Sequence, residues 1–395
     1  MKKVVIAYSG GLDTSFCAKY LSVEKGLEVH AVSVNTGGFT ETDIEKIRAN
    51  AYTLGATSYE NIDALSFFYQ KVVKYLIFGN ILKNNTYPLS VSAERIVQAI
   101  EIINYAKKIG AGYIAHGSTG AGNDQVRFDM IFQILAPEIE IITPIRDLNL
   151  SRQDEIEYMK KQGVDISWTK AKYSINKGLW GTSVGGVETL SSDKALPEEA
   201  YPSQLEAHEP RTIKLSFEKG EFVAIDDERA KPEKNIQLLN KIASKYAIGR
   251  DIHVGDTIIG IKGRVGFEAA APMIIIKSHH LLEKHVLTKW QQLHKEYLAN
   301  WYGTLLHEGQ YLDEVMRNIE AFLEDSQKNV SGDVLVTLHP YRFTLDGIVS
   351  LHDLMNSKVA AYGETNSGWT PEDAKGFIKI TANQNKIYKQ VNNSI

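Results

Sequence analysis

The sequence predicts an α/β protein with an N-terminal parallel sheet covered by helices, then an α+β domain and a C-terminal helical arm. Three observations carry this. Over residues 1–165, short β-branched runs alternate with amphipathic segments, the pattern of strands joined by crossover helices. Beyond Lys170 the alternation is lost. Near the end, Thr370-Pro371-Glu372-Asp373 combines a cap residue, a first-turn proline and acids at the positive end of a helix dipole. The expected spans are 1–168, 169–362 and 363–395, with the first boundary at 168–172.

In chain order, 4–8 reads as a buried strand, and Ser9-Gly10-Gly11 as a turn. A helix at 13–25 puts Phe16, Cys17, Tyr20 and Leu21 on one face and stops at Gly26. A strand at 29–34 is broken by Thr36-Gly37-Gly38. Thr40 then caps a helix ending before Gly55. Helices follow at 67–82 and 92–109, a third strand at 113–116 and a fourth at 139–143. Ser151 with Asp154 starts a helix that stops at Gly163. In the second part, 212–217 and 222–225 form a hairpin around Lys219-Gly220. Helices are expected at 235–246, 271–287, 288–301 and 312–325. Strands are expected at 257–261, 334–338 and 343–349. Residues 191–210 read as a surface excursion. The terminal helix packs either on its own domain or on a neighbouring subunit.

Composition bounds the function. The chain has 395 residues and a formal net charge of −4, which argues against broad binding to a nucleic-acid backbone. A single cysteine, Cys17, excludes an intrachain disulfide, multi-thiolate zinc and CxxC redox chemistry. No apolar run is long enough for a membrane span, so the expectation is a soluble cytoplasmic protein without membrane or nucleic-acid partners.

The strongest local signal is Ala7-Tyr8-Ser9-Gly10-Gly11-Leu12-Asp13-Thr14-Ser15, between the first strand and the first helix. Gly10 and Gly11 allow close backbone approach. The N–H groups opening the helix can hold an anion, and Ser9, Thr14 and Ser15 add hydroxyls. The natural guest is a phosphate or pyrophosphate. The loop is neither a Walker A motif nor a dinucleotide fingerprint, since neither pattern occurs. A second block, His116-Gly117-Ser118-Thr119-Gly120-Ala121-Gly122-Asn123-Asp124-Gln125-Val126-Arg127-Phe128, follows another strand at the same sheet edge. Asn123 offers donor and acceptor, Asp124 an anion for an ammonium, and Arg127 a planar fork for a carboxylate. Together they suit a zwitterionic amino acid.

The segment Ser9-Gly10-Gly11-Leu12-Asp13-Thr14-Ser15 resembles the signature of the pyrophosphate-loop ATP enzymes. With the second block, Tyr87-Pro88-Leu89, Ser92, Tyr173-Ser174-Ile175, Leu179-Trp180-Gly181, Ser183 and Asp373-Ala374-Lys375-Gly376-Phe377-Ile378, the chain resembles the argininosuccinate synthase family. The resemblance implies a pyrophosphate-loop nucleotide-binding domain at 1–168, a synthetase and multimerisation domain at 169–362 and an oligomerisation arm at 363–395. It implies ATP-dependent ligation of citrulline and aspartate through citrullyl-AMP, releasing pyrophosphate and AMP, with Mg²⁺ as cofactor and a homotetrameric assembly. Residues 7–15, with Val34 and Gly117, would hold ATP. Thr119, Asn123 and Asp124 would bind aspartate. Tyr87, Ser92, Asn123, Arg127, Ser174 and Ser183 would bind citrulline. Ser9, Asp13 and Asp124 are the expected catalytic residues, with Asp124 a candidate acceptor for the aspartate amine's proton. No resident metal site is expected.

The chain departs from the family pattern at four places. Ala121 stands where the family has Lys, and Asn35-Thr36-Gly37-Gly38-Phe39 lacks a Gln. Gly255 and Phe267 stand where a Glu and a Tyr contact citrulline. Asp256, after a small shift, or a water is expected to compensate for the Glu, while Phe267 cannot replace the Tyr hydroxyl; the alternative is an N-acylated citrulline substrate. Competing functions are another pyrophosphate-loop enzyme and a nucleotide sensor. An amidotransferase would need Cys near position 2, where Lys2 stands, and a thiolase would need paired cysteines. His279, His280, Glu283 and His285 read as polar surface rather than metal ligands, Trp290, Leu293, Tyr297 and Trp301 as core or subunit contact, and Cys17 as a buried thiol.

Overall fold

The computed structural model describes residues 2–164, 172–359, 362–363 and 368–392. Most of the expected first boundary, 168–171, lies outside them.

The N-terminal part runs β1 (Lys3–Ala7), α1 (Leu12–Val23), β2 (Glu28–Asn35), α2 (Glu41–Thr53), β3 (Ser58–Asp63), then α3 (Leu65–Phe68), which passes through a π turn into α4 (Lys74–Phe78). It continues with α5 (Glu94–Ile109), β4 (Tyr113–Ala115), α6 (Asn123–Leu135), β5 (Glu140–Ile142), α7 (Pro144–Asp147) and α8 (Arg152–Lys161). The five strands form one parallel sheet in the order β3-β2-β1-β4-β5. Alternation of side chains along β1 sends Val4 and Ile6 to the core shared with α1, α2 and α8, while Val5 joins the core around α5. Strand order reverses between β1 and β4, so a crevice opens beyond their carboxyl ends. The expected capping boxes form at Thr40 with Asp43 and at Ser151 with Asp154.

One strand of the parallel sheet escaped the sequence reading. β3 carries Glu60, Asn61 and Asp63, because an edge strand needs no apolar face on its open side. The strand expected third is therefore β4.

The second part contains β6 (Ser174–Gly178), β7 (Gly181–Gly185), β8 (Arg211–Glu218), β9 (Glu221–Ile225), β10 (Glu228–Arg229), α9 (Pro232–Ala243), β11 (Arg250–Asp256), β12 (Lys262–Glu268), α10 (Ala270–Val286), α11 (Lys289–His307), α12 (Glu314–Ser326), β13 (Gly332–His339) and β14 (Arg342–Val349). Two antiparallel sheets result, ordered β10-β9-β8-β13-β14 and β11-β12-β7-β6. The Lys219-Gly220 hairpin forms as expected, both residues having positive φ. The expected strand at 257–261 does not form. Those residues turn the β11–β12 hairpin, with Gly260 at φ +81° and Thr257 N–H donating to the Ile261 carbonyl. Three isoleucines there, Ile258, Ile259 and Ile261, imitated a strand. Residues 191–210 are irregular as expected, yet they bury Leu196 and Ala200 beneath the surface.

Two expectations about faces are corrected. His279 and Glu283 are buried rather than polar surface. His279 faces the side-chain oxygens of Asn80 and Gln327, and Glu283 pairs with the buried Lys295 at 2.8 Å. Trp290, Leu293, Tyr297 and Trp301 are all half-exposed, so the core option for that stripe fails. Cys17 is fully buried, and burial pushes its thiol well up, as fits a structural cysteine. The C-terminal helices, α13 (Pro371–Thr381) and α14 (Asn383–Asn392), bury none of their residues, so the arm does not pack on its own domain.

Candidate active site

A cleft of about 940 Å³ opens at the carboxyl edge of the parallel sheet and is closed on its far side by β6, β7 and the β11–β12 hairpin. Ala7, Tyr8, Ser9, Gly11, Leu12, Asp13, Thr14, Val34, Gly117, Tyr87, Ser92, Thr119, Asn123, Asp124, Arg127, Ser174 and Ser183 all line it. Gly10 and Ser15 do not. Gly10 is pinned at φ +78° beneath Ile47 of α2, and the buried Ser15 hydroxyl faces the Tyr8 hydroxyl at 3.4 Å. Ser15 is thus not the open donor expected of it.

The first loop presents open hydrogen-bond donors, which can hold an anion. Gly11 is the N-cap of α1 and supplies no side-chain cap, so the first N–H groups of the helix stay open toward the crevice. Ser9 and Thr14 hydroxyls lie 3.2 Å apart beside them. Gly117, just past β4, packs directly on this loop: a Cβ there would lie 3.1 Å from the Asp13 carbonyl carbon. The second block is fixed by His116, whose Nδ1 accepts from the Ser118 N–H while Nε2 meets Asp129 at 2.8 Å. Asp129 in turn holds Arg146 at 2.7 Å. Gly122 caps α6, again without a side-chain cap, so two open helix N-termini share one crevice.

The electrostatics centre on Asp124. Its Oδ2 accepts from Arg95 Nε at 2.9 Å, and its Oδ1 from Arg127 Nη1 at 2.8 Å. Burial raises its pKa, but the two guanidiniums outweigh that and hold it at about 2. Arg127 also donates through Nε to the His307 carbonyl at 2.9 Å. The side-chain oxygen of Asn123 accepts from the Ile258 N–H at 2.8 Å, joining the hairpin tip to α6.

The sequence reading missed Arg95, Glu94, Thr36, Lys177, His253 and His307, all of which line the cleft. Glu94-Arg95 follows Ser92 at the start of a helix read only for its apolar face. Asp256 also lines the cleft, where its exposed carboxylate pairs with Lys262 at 2.6 Å. Among the described residues, no cluster of three or more His, Cys, Asp or Glu is placed to hold a metal ion.

Glu94 is 2 % exposed and accepts from the Thr36 hydroxyl at 2.6 Å and from Arg95 at 3.1 Å. Burial pushes its pKa up from 4.5 to about 7, against the opposing pull of Arg95. A carboxyl raised on folding stabilises fully below its unfolded pKa, and that stabilisation is lost as pH rises through the folded value. Glu94→Gln should therefore remove part of the fall in melting temperature between about pH 5 and about pH 8. A melting curve for the variant with the wild-type pH dependence contradicts this.

Comparison with known proteins agrees with the geometry. The family model for the arginosuccinate synthase N-terminal HUP domain matches residues 3–165, and that for the C-terminal domain matches 173–388. The chain belongs to the argininosuccinate synthase family. The argininosuccinate synthase of Sulfurisphaera tokodaii is 36% identical over 98% of this chain and 99% of that protein. Those of Methanocaldococcus jannaschii and Xylella fastidiosa are 35% and 34% identical, covering 98% and 100% of this chain and 97% and 99% of those proteins. Family membership makes the chain a ligase and bears out the α/β reading of the sequence. The N-acylated alternative finds no support among these matches.

Proposed function

We propose that this chain joins citrulline to aspartate at the expense of ATP, forming argininosuccinate, AMP and pyrophosphate. The observation that carries the reading is the meeting of two glycine loops and the Asn123–Asp124–Arg127 set in one cleft at the point where strand order reverses. In this reading the loop from Ala7 to Ser15 holds the β- and γ-phosphates, with Val34 and Gly117 against the adenosine. Thr119, Asn123 and Asp124 hold aspartate. Tyr87, Ser92, Asn123, Arg127, Ser174 and Ser183 hold citrulline. The citrulline ureido oxygen attacks the α-phosphorus and pyrophosphate leaves. The aspartate amine then attacks the activated carbon, and AMP leaves with the transferred oxygen. The site's contribution is positioning and charge neutralisation.

Asp124 takes an orienting role. A carboxylate held near pKa 2 by two arginines is a weak proton acceptor at neutral pH and is unsuited to the base role. Asp13, with Ser9 and Thr14 beside it, suits Mg²⁺, which favours few carboxylates and several phosphate and water ligands. Mg²⁺ bound there would neutralise phosphate charge. With Ala121 in place of a lysine, Arg152 and Lys177 are among the cations that line the cleft.

The test is release of pyrophosphate and AMP from ATP. It should require citrulline and aspartate together; no release with any amino acids would favour a nucleotide sensor.

We also propose three domains, 1–168, 169–362 and 363–395, a cytoplasmic location and a homotetramer held by the arm. Phe377, Ile378, Ile380, Ile387, Tyr388 and Val391 of the arm are all more than half exposed, a face that a second copy would cover. Deleting residues 368–395 should lower the assembly mass in light scattering. An unchanged tetramer contradicts the clasp. No described helix is long and apolar enough to cross a membrane.

A further inference from the structure

His307 ends α11 and lines the cleft, and none of the roles above uses its side chain. It is 7% exposed. Both its backbone and its ring meet Arg127, 180 positions away in sequence. The end of α11 makes the first contact available. The N–H groups of Glu308, Gln310 and Gly309 donate to the carbonyls of Thr304, Leu305 and Leu306, which leaves the His307 carbonyl for another donor. Arg127 Nε fills that place at 2.9 Å. A cation there also suits the negative end of the helix dipole. The chain then turns at Gly309, with φ +80°, and the Cβ position of that glycine lies 3.4 Å from Arg127 Cα. The second contact is between the His307 ring and the same guanidinium, with Nδ1 3.3 Å from Nη2.

A guanidinium only donates, so Nδ1 accepts and the ring proton sits on Nε2. Burial first, then Arg127, Lys83 and His253, lower the His307 pKa to about 3, against the pull of the Asp256 backbone. The ring is neutral and keeps the lone pair that the contact needs. Arg127 is thus held at all three nitrogens: Nε and Nη2 by His307, and Nη1 by Asp124 at 2.8 Å. Asp124 alone would let the guanidinium turn about a single bond. Two acceptors from His307, on adjacent nitrogens, fix its plane. Each terminal nitrogen carries two N–H groups, so each keeps one for a ligand, in a side chain that lines the cleft.

We propose that His307 is a positioning residue: through Nδ1 and its own carbonyl it fixes the guanidinium plane of Arg127, so that the remaining N–H groups meet the amino acid activated at the phosphate loop. The assignment rests on the ligase reading, in which that amino acid is citrulline.

The test compares three variants that keep the backbone carbonyl. His307→Leu removes the side-chain acceptor. His307→Asn places an amide oxygen where Nδ1 stood, and His307→Gln carries the same amide one methylene too far. His307→Leu should raise the citrulline KM about tenfold, as for one lost hydrogen bond to a charged group. The KM for ATP should stay within about twofold. His307→Asn should recover most of the loss, and His307→Gln should not. His307→Gln gives the same readout should the Leu variant not fold. In an Arg127→Leu background, His307→Leu should lower kcat/KM by less than about twofold more, since no guanidinium is left to position. An unchanged citrulline KM, equal losses in the two backgrounds, or Asn behaving as Leu overturns the assignment. Calorimetric binding of citrulline separates the two claims. Wild-type protein that binds citrulline without turning it over contradicts the ligase reading alone. His307→Leu binding citrulline as tightly as wild type contradicts the His307 assignment alone.

Discussion

Arg127→Leu should reduce kcat/KM for citrulline by about 10²-fold or more, the scale of effect that follows from misplacing a bound reactant. Arg127 is 3% exposed and works in two directions at once. It donates to the Asp124 carboxylate at 2.8 Å and to the His307 carbonyl at 2.9 Å, tying the second glycine block to the end of α11. Leucine leaves the carbonyl without its donor and Asp124 with Arg95 alone. The stability cost should be about 2–3 kcal/mol, as for lost hydrogen bonds to a charged group. It stays below that of breaking an isolated buried pair because Arg95 remains. Arg127→Lys should recover charge but little activity, since an ammonium cannot span both partners as the planar fork does. Steady-state kinetics with citrulline varied would show it; an Arg127→Leu enzyme within about threefold of wild type contradicts the site as drawn.

The second large effect is expected at Gly10. Alanine there would occupy the left-handed region at φ +78°, a strain of about 1–2 kcal/mol. Its Cβ would also sit 2.9 Å from Ile47 Cγ1, well inside ordinary carbon contact. α2 is held by its capping box and its core packing, so the loop must give way. The open N–H groups of α1 then move off the phosphates, and the KM for ATP should rise about tenfold or more. Gly26→Ala is the control. Gly26 has φ +60° with nothing within 4 Å of its Cβ position, at the other end of α1. It should lose similar stability while keeping the ATP KM. Equal ATP KM values in the two variants contradict the phosphate-loop role.

Much of this was legible in the sequence because local chemistry and tertiary role coincided. The first loop had to follow a buried strand and open a helix, and its glycines and hydroxyls declare both. The capping boxes at Thr40, Ser151 and Thr370 marked helix starts that the structure keeps. What escaped was set by partners distant in sequence. β3 is stabilised by pairing with β2, not by its own apolar pattern. β11 and β12 carry charges and glycines that only make sense on a two-sided hairpin closing the cleft. Arg95 looks like any helix-surface cation until α6 brings Asp124 to 2.9 Å from it. The Trp290–Trp301 stripe announced an apolar face without saying what covers it. His279 and Glu283 looked polar because their partners, Asn80, Lys295 and Gln327, come from three other segments.

In the proposed reaction the citrulline ureido oxygen attacks the α-phosphorus before the aspartate amine arrives. Citrulline carrying ¹⁸O in its ureido group, turned over with ATP and aspartate, tests it most directly by mass spectrometry of the products. The expected products are AMP carrying the label and argininosuccinate without it. Unlabelled AMP, or no AMP at all, would contradict it.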